Sequence, residues 1–197
     1  MENKQKHKEN LSISRRLRDD FLAGDDNSYS TIYRMYVNDL YAFGLSFHAT
    51  AELIEDAIHD VFIEIYTHRK ILANVENLKI YLMTAFRNRL LFRMKQSAIY
   101  VEMKDNVYEM EEHDCQSHLI EQEWETEKQE LMQCLLSKLN GNQREALYHH
   151  FIENLSYKEI ASVMHINYQS AKNLVHRSIN KLRALVVNDK RFSTSIW

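Results

Sequence analysis

Residues Asn154 to Arg183 read NLSYKEIASVMHINYQSAKNLVHRSINKLR, and this stretch decides the fold. It describes two helices joined by a tight turn. Ser156 and Glu159 have the Ser-x-x-Glu spacing of a capping box, in which each side chain satisfies a backbone N–H left open at the helix start. Ile160, Ala161, Val163 and Met164 give the first helix a buried face, and small Ala161 lets a second helix cross closely. His165-Ile166-Asn167 breaks the pattern, and Asn167 is a good N-cap for the next helix. Ala171, Leu174, Val175, Ile179, Leu182 and Leu185 then recur at helical spacing. From Tyr168 to Arg183 the charged residues are Lys172, Arg177, Lys181 and Arg183, with no acid. A short helix, a turn and a longer basic helix with a polar start is the geometry that lays a helix in the DNA major groove. Tyr168, Gln169, Ser170, Lys172, Asn173, His176 and Arg177 form the expected DNA face. Gln and Asn suit adenine edges, whereas Lys and Arg suit guanine or phosphate.

The composition of the whole chain bounds its architecture. Its 197 residues hold no proline and three glycines (Gly24, Gly44 and Gly141), where average usage is about 5% and about 7%. Hairpins and barrel corners depend on those residues, so the expected fold is all-α. The net charge of −3 hides segregation, and local patches matter more than the sum. Asn77 to Gln96 has five basic residues and no acid, Glu52 to Glu64 has five acids and no Lys or Arg, and Glu102 to Glu127 has ten acids and one base. Two cysteines build no disulfide framework. No apolar leader and no run of 18 apolar residues is present, so a cytoplasmic protein without membrane insertion is expected.

Two small helical domains are expected, joined by an acidic linker, the second domain being the helix-turn-helix. Residues 1–19 are read as a tail and the start of the first helix, which is patterned over Leu11 to Leu22. Residues 20–98 are the first domain, 99–127 the linker, 128–187 the second domain and 188–197 a C-terminal tail. Gly24 to Ser28 is a turn, Tyr29 to Phe47 an aromatic-rich helix, and Thr50 to His68 an amphipathic one. Its apolar stripe is Ile54, Ala57, Ile58, Val61, Phe62 and Ile65; its acidic stripe includes Glu52, Glu55, Asp56, His59, Asp60 and Glu64. Leu78 to Gln96 is a further helix mixing cations with Tyr81, Phe86 and Phe92, and Tyr81 and Phe86 are expected to be at least partly buried. In the second domain Asn142 is the expected cap of a helix over Gln143 to Glu153.

The layout resembles the extracytoplasmic-function sigma factors, small two-domain initiation subunits of bacterial RNA polymerase. Glu55-Asp56-Ala57-Ile58-His59-Asp60-Val61-Phe62-Ile63-Glu64-Ile65-Tyr66 is similar to the family pattern in region two, with His59 where Gln is usual. Asn77 to Leu82 and Ala85 to Asn88 resemble the promoter-melting helix, with Phe92 where Asp is often found. Asn142 to Leu147, Leu155 to Ala161, His176-Arg177 and Lys181 to Arg183 look like region four, with His165 where Gly is common in the turn.

The resemblance implies that Asp56, His59, Asp60 and Phe62 contact the clamp coiled coil of core RNA polymerase. It implies that Arg87, Asn88 and Arg89 contact the melted minus-ten element, with a flipped base held near Ile71 to Asn77. Helix Tyr168 to Arg183 would read the minus-thirty-five element, and an anti-sigma factor would hold the chain inactive. By composition the linker is a solvated tether; the resemblance places it along the polymerase active-site cleft and RNA exit path. His113, Cys115 and His118, with Cys134 downstream, have a metal-like look but lie in or beside this flexible stretch, so no metal is expected. No nucleophile–base pair or Gly-rich phosphate loop is evident, so neither enzyme activity, cofactor nor small-molecule substrate is expected. The competing reading is a helix-turn-helix regulator of the response-regulator output type, which requires an N-terminal β/α receiver.

Overall fold

The computed structural model describes residues 2–104 and 135–188. All regular structure among them is helical, as the absence of proline and the scarcity of glycine lead one to expect. Four helices form the N-terminal unit: α1 (Glu2–Leu22), α2 (Asp26–Leu45), α3 (Ala51–Thr67) and α4 (Leu78–Lys104). A 3-10 turn, Arg69–Leu72, links α3 to α4. The C-terminal unit holds α5 (Gly141–Leu147), a π-helical turn (Tyr148–Ile152), α6 (Tyr157–Val163) and α7 (Tyr168–Asn188).

Side-chain chemistry sets these boundaries. Asp25 caps α2 by accepting from the amides of Asn27 and Ser28, so α2 begins three residues before the expected Tyr29. The hydroxyl and amides at Asn27 and Ser28 hold the Asp25 carboxyl below its ordinary range. Thr50 caps α3 by accepting from the Leu53 amide. Asn77 accepts from the Ile80 amide at the start of α4. The helix α1 reaches back to Glu2 instead of starting at Leu11, consistent with the strong helix formers in that segment. Likewise α4 runs on to Lys104, past the expected end at Gln96.

The core forms where the apolar stripes meet. Ile54, Ala57, Ile58, Val61, Phe62 and Ile65 of α3 are all buried, against Ile32, Leu40 and Phe43 of α2 and Leu82, Phe86 and Leu90 of α4. Gly44 lets α2 and α3 approach closely. A Cβ there would stand 2.8 Å from the Ile54 side chain, which is inside any normal carbon contact. The α1 helix is tied in by a 2.6 Å hydrogen bond between the hydroxyls of Ser14 and Tyr36. It is tied again by the guanidinium of Arg18, which donates to the carbonyl of Val75 just before α4.

In the second unit the expected Ser156–Glu159 capping box forms, and Asn167 accepts from the Ser170 amide at 2.7 Å. His165 takes the left-handed conformation that the turn requires, at φ 53°. One expectation fails here. The cap of α5 is Asn140, paired reciprocally with Gln143, and the helix does not continue regularly to Glu153. Its last turn widens into the π-helical segment. That widening points Phe151 and Ile152 outward and His149 inward.

The two units touch. The N-terminal half of α4 packs against α6, and Phe43 of α2 lies against Tyr148 and His149, with ring centroids 5.3 and 4.6 Å apart. One apolar cluster runs through both units. The greater part of the acidic linker, with His113, Cys115, His118 and Cys134, and the C-terminal tail from 189 lie outside the described residues.

Candidate nucleic-acid and partner interfaces

The helix α7 presents two faces. Ala171, Val175 and Ser178 are fully buried against α5 and α6. Leu174 and Ile179, which share the helical spacing of these residues, are half-buried at the margin of the core. The opposite face holds Tyr168, Gln169, Lys172, Asn173, His176 and Arg177, all exposed, with Ser170 half-buried beside them. This array is pre-ordered. The Gln169 amide donates to the Asn173 side-chain oxygen at 3.0 Å, and Arg177 Nε donates to the Asn173 carbonyl at 3.3 Å. The His176 ring sits 6.1 Å from that of Tyr157, which braces it from α6. Every α7 residue expected to face DNA therefore lies on one side of one helix, next to a tight turn.

On α4 the geometry departs from expectation. Arg87, Asn88 and Arg89 are each engaged within the chain. Arg87 donates from Nε and Nη2 to the two carboxylate oxygens of Glu145 on α5, the second at 3.2 Å. Its side chain is 13% exposed and that of Glu145 2%. Asn88 meets His165 Nε2 at 3.2 Å. Arg89 turns the other way, to Glu64 at 3.1 Å and Asp60 at 3.7 Å on α3. Phe86 is fully buried and Tyr81 half-buried, as the helical spacing of aromatics suggested. Phe92 is 55% exposed. A cleft of about 370 Å³ between α3 and α4 is lined by Glu64, Tyr81, Thr84, Asn88, Arg89 and Phe92.

The acidic stripe of α3 is correspondingly less isolated than its sequence suggests. Arg93 of α4 donates to Asp56 at 2.8 Å and to Asp60 at 2.7 and 2.9 Å. The outer part of the stripe, Glu52, Glu55 and His59, is exposed. Phe62 does not belong to this surface. It is 1% exposed and packs edge-on against Tyr29 and Tyr33, while its carbonyl accepts from the Tyr29 hydroxyl. An aromatic two positions after Asp60 points to the opposite side of the helix from it, so its assignment to the partner face is corrected to the core.

Comparison with known proteins agrees with both halves of this layout. Residues 129–182 match the sigma-70 region 4 family. The extracytoplasmic-function RNA polymerase sigma factor SigM of Bacillus subtilis is 29% identical over 165 residues, spanning 81% of this chain and 97% of SigM. The chain is thus similar to an extracytoplasmic-function sigma factor over most of its length, and its C-terminal unit matches sigma-70 region 4. The same fold occurs in the sigma factor RpoE of Bartonella quintana, solved with the anti-sigma factor NepR. There the TM-score is 0.61 at 22% identity, over 82% of this chain and 98% of RpoE. It also occurs in CnrH, solved with the cytosolic domain of CnrY, with a TM-score of 0.64 at 17% identity, over 90% of this chain and 99% of CnrH.

Two features of the structure escaped the sequence reading. The first is the role of Arg93, although its signal was present. Arg89 and Arg93 stand four apart on one helix, and Asp56, Asp60 and Glu64 stand four apart on its neighbour, so one ladder of charge matches the other. The second is the group of acids on the C-terminal unit that meets α4: Glu145 on Arg87, and Glu153 on Lys79. Burial opposes the charge on Lys79, but Glu153 and Asp39, the latter at 3.2 Å, hold its pKa above the usual value. Burial, then the nearby Glu153, push the Tyr148 hydroxyl well up as well. No helix among the described residues is long and apolar enough to cross a membrane. The receiver that a response regulator would need has no counterpart there either, because residues 2–104 are helical apart from turns.

Proposed function

We propose that this sigma factor divides promoter recognition between its two units along the boundaries 20–98 and 128–187, with 99–127 as the acidic connector. The observation that carries the reading is the open polar and basic face of α7 on a region-4 helix-turn-helix. Gln169, Ser170 and Asn173 read base edges of the minus-thirty-five element, Tyr168 and His176 flank them, and Lys172 and Arg177 take phosphates or guanine edges. Arg87, Asn88 and Arg89 of α4 engage the melted minus-ten element, where cations and a neighbouring aromatic suit single-stranded DNA. Asp56, His59 and Asp60 of α3 dock on a basic surface of core RNA polymerase. The protein works in the cytoplasm as a binding subunit and needs no catalytic group of its own.

An anti-sigma factor is the expected inhibitor, as RpoE was solved with NepR. A suitable anchor is the apolar groove of about 430 Å³ along α7, lined by Phe151, Ile179, Leu182, Val186 and Val187. Phe151 and Val187 in it are 58% and 81% exposed, and apolar surface of this kind marks a partner site. Run-off transcription with purified core polymerase and genomic promoter fragments tests the proposal. Promoter-dependent transcripts are expected only when the chain is present. Their absence with active core polymerase across a fragment library refutes it.

A further inference from the structure

A chain of rings stands behind the reading face of α7. The His150 ring, on the π-helical turn, stacks on that of Tyr157 at the start of α6, with centroids 5.2 Å and planes 16° apart. Tyr157 in turn meets two residues of α7, Tyr168 edge-on at 6.3 Å and His176 at 6.1 Å and 37°. These separations fall in the range where aromatic pairs attract beyond the area they bury. Tyr168 and His176 lie about two turns apart on one helix, and a single ring from another helix touches both.

Two local features place the rings. The capping box of Ser156 and Glu159 fixes where α6 begins, and so makes Tyr157 its first residue. The π-helical widening after α5 re-aims the side chains within it. His149 goes into the core and Phe151 to solvent, while His150 lies against Tyr157. His150 Nδ1 is buried there without a hydrogen-bond partner, which costs free energy. A leucine would fill the space without that cost, but it has no flat face to stack.

Tyr168 and His176 are both exposed, Tyr168 at 54%. An exposed side chain keeps its rotamer freedom unless a neighbour removes it. In the middle of the face Asn173 does this for Gln169 and Arg177. We infer that Tyr157, backed by His150, is the positioning residue for the two ends. Its ring fixes Tyr168 and His176 and so sets base preference at the base pairs they govern. This rests on the reading of α7 as the minus-thirty-five helix, and adds a residue of α6 and one of the π-helical turn to its determinants. The ring acts, not the hydroxyl, so phenylalanine replaces this tyrosine and leucine does not.

The test is selection from a random-sequence duplex pool by the full chain bound to core RNA polymerase, with sequencing of the retained DNA. Tyr168→Ala and His176→Ala first mark the base pairs that these residues govern. Tyr157→Leu lowers preference at those base pairs about two- to tenfold, the worth of one aromatic pair, and leaves those governed by Gln169 and Asn173 unchanged. His150→Ala acts in the same direction, and Tyr157→Phe keeps the wild-type preference. Added to His176→Ala, Tyr157→Leu changes the His176 base pairs no further, because it acts through that residue. Val163→Ala, buried elsewhere on α6, lowers stability and keeps preference, which separates positioning from plain destabilisation.

Wild-type preference retained by Tyr157→Leu at the marked base pairs overturns the inference. So does a loss in Tyr157→Phe equal to that in Tyr157→Leu, which assigns the effect to the hydroxyl. A second measurement needs no DNA. An aromatic ring shifts the resonances of protons that face it, so the imidazole protons of His150 and His176 in the full chain both move in Tyr157→Leu and stay near their wild-type positions in Tyr157→Phe. Resonances that do not move in Tyr157→Leu also overturn it. A wild type that selects no sequence refutes the α7 reading on which the inference stands, whereas equal selection by wild type and Tyr157→Leu refutes the brace alone.

Discussion

Arg93 and Asp60 form an ion pair whose two halves should affect polymerase binding with opposite signs. Arg93 bridges Asp56 and Asp60 at 2.7–2.9 Å, with side chains 27%, 51% and 32% exposed. Contacts this open to solvent are each worth about 0.2–1 kcal/mol. Arg93→Ala therefore loses about 0.4–2 kcal/mol of stability for its two partners. Asp60→Ala, which gives up Arg93 and the longer contact to Arg89, loses about the same. Both variants should stay folded, with midpoints shifted in the same direction. Binding to core polymerase separates them. If Asp56 and Asp60 dock on a basic surface, that surface must compete with Arg93 for the carboxylates. Removing Arg93 releases them, and at about 1.4 kcal/mol per decade affinity rises by a factor of about two to thirty. Asp60→Ala lowers it. Fluorescence anisotropy of labelled protein titrated with core polymerase, alongside denaturant melts, measures both. Equal weakening in the two variants would show that the bridged ladder, and not the carboxylates, is the docking surface. The acidic-face assignment would then fall.

On α7, Lys172→Ala should weaken binding to all duplexes alike and lower the salt slope by about one unit. Gln169→Ala should cost about 1–3 kcal/mol at particular promoter positions. Because Gln169 holds Asn173, Gln169→Ala and Asn173→Ala should be sub-additive in footprinting titrations, and full additivity would refute the pre-ordering. Ile160→Ala, at a fully buried site, should cost about 2–5 kcal/mol in chemical denaturation, and Ser156→Ala about 0.5–2 kcal/mol through loss of its capping box. Lys79 has a folded pKa above its unfolded value, so its pair with Glu153 contributes fully below about pH 10.4 and is lost as pH rises through the folded value. Hydrogen exchange at α4 should therefore be level across the neutral range, after correction for intrinsic rates, and rise only in strong alkali. Lys79→Met should abolish that rise.

The helices were legible because period and caps are local. Ser156 with Glu159, and Asn167 ahead of α7, need only neighbours three residues away. The α5 cap shows where locality ends. Asn140-Gly141-Asn142-Gln143-Arg144-Glu145 contains two overlapping boxes, Asn140 with Gln143 and Asn142 with Glu145. The first forms. The second does not, because Asn142 already lies inside the helix that Asn140 caps, and Glu145 is clasped by Arg87 from another helix. Two equal local signals were on offer, and the carboxylate of the one left unused serves a tertiary ion pair that nothing within α5 announces.

The same reasoning explains the candidate sites. The α7 residues share one exposed face, as expected, because amphipathic period alone tells inside from outside on a helix with one packed side. The helix α4 has more than one packed side. Its apolar residues meet the core, Arg89 and Arg93 meet α3, and Lys79, Arg87 and Asn88 meet the C-terminal unit. A polar residue on such a helix can be outward by period and still be covered by charge. That is why Arg87, exposed by pattern, is 13% exposed in the fold, and why its partner had to be sought among acids 58 residues away.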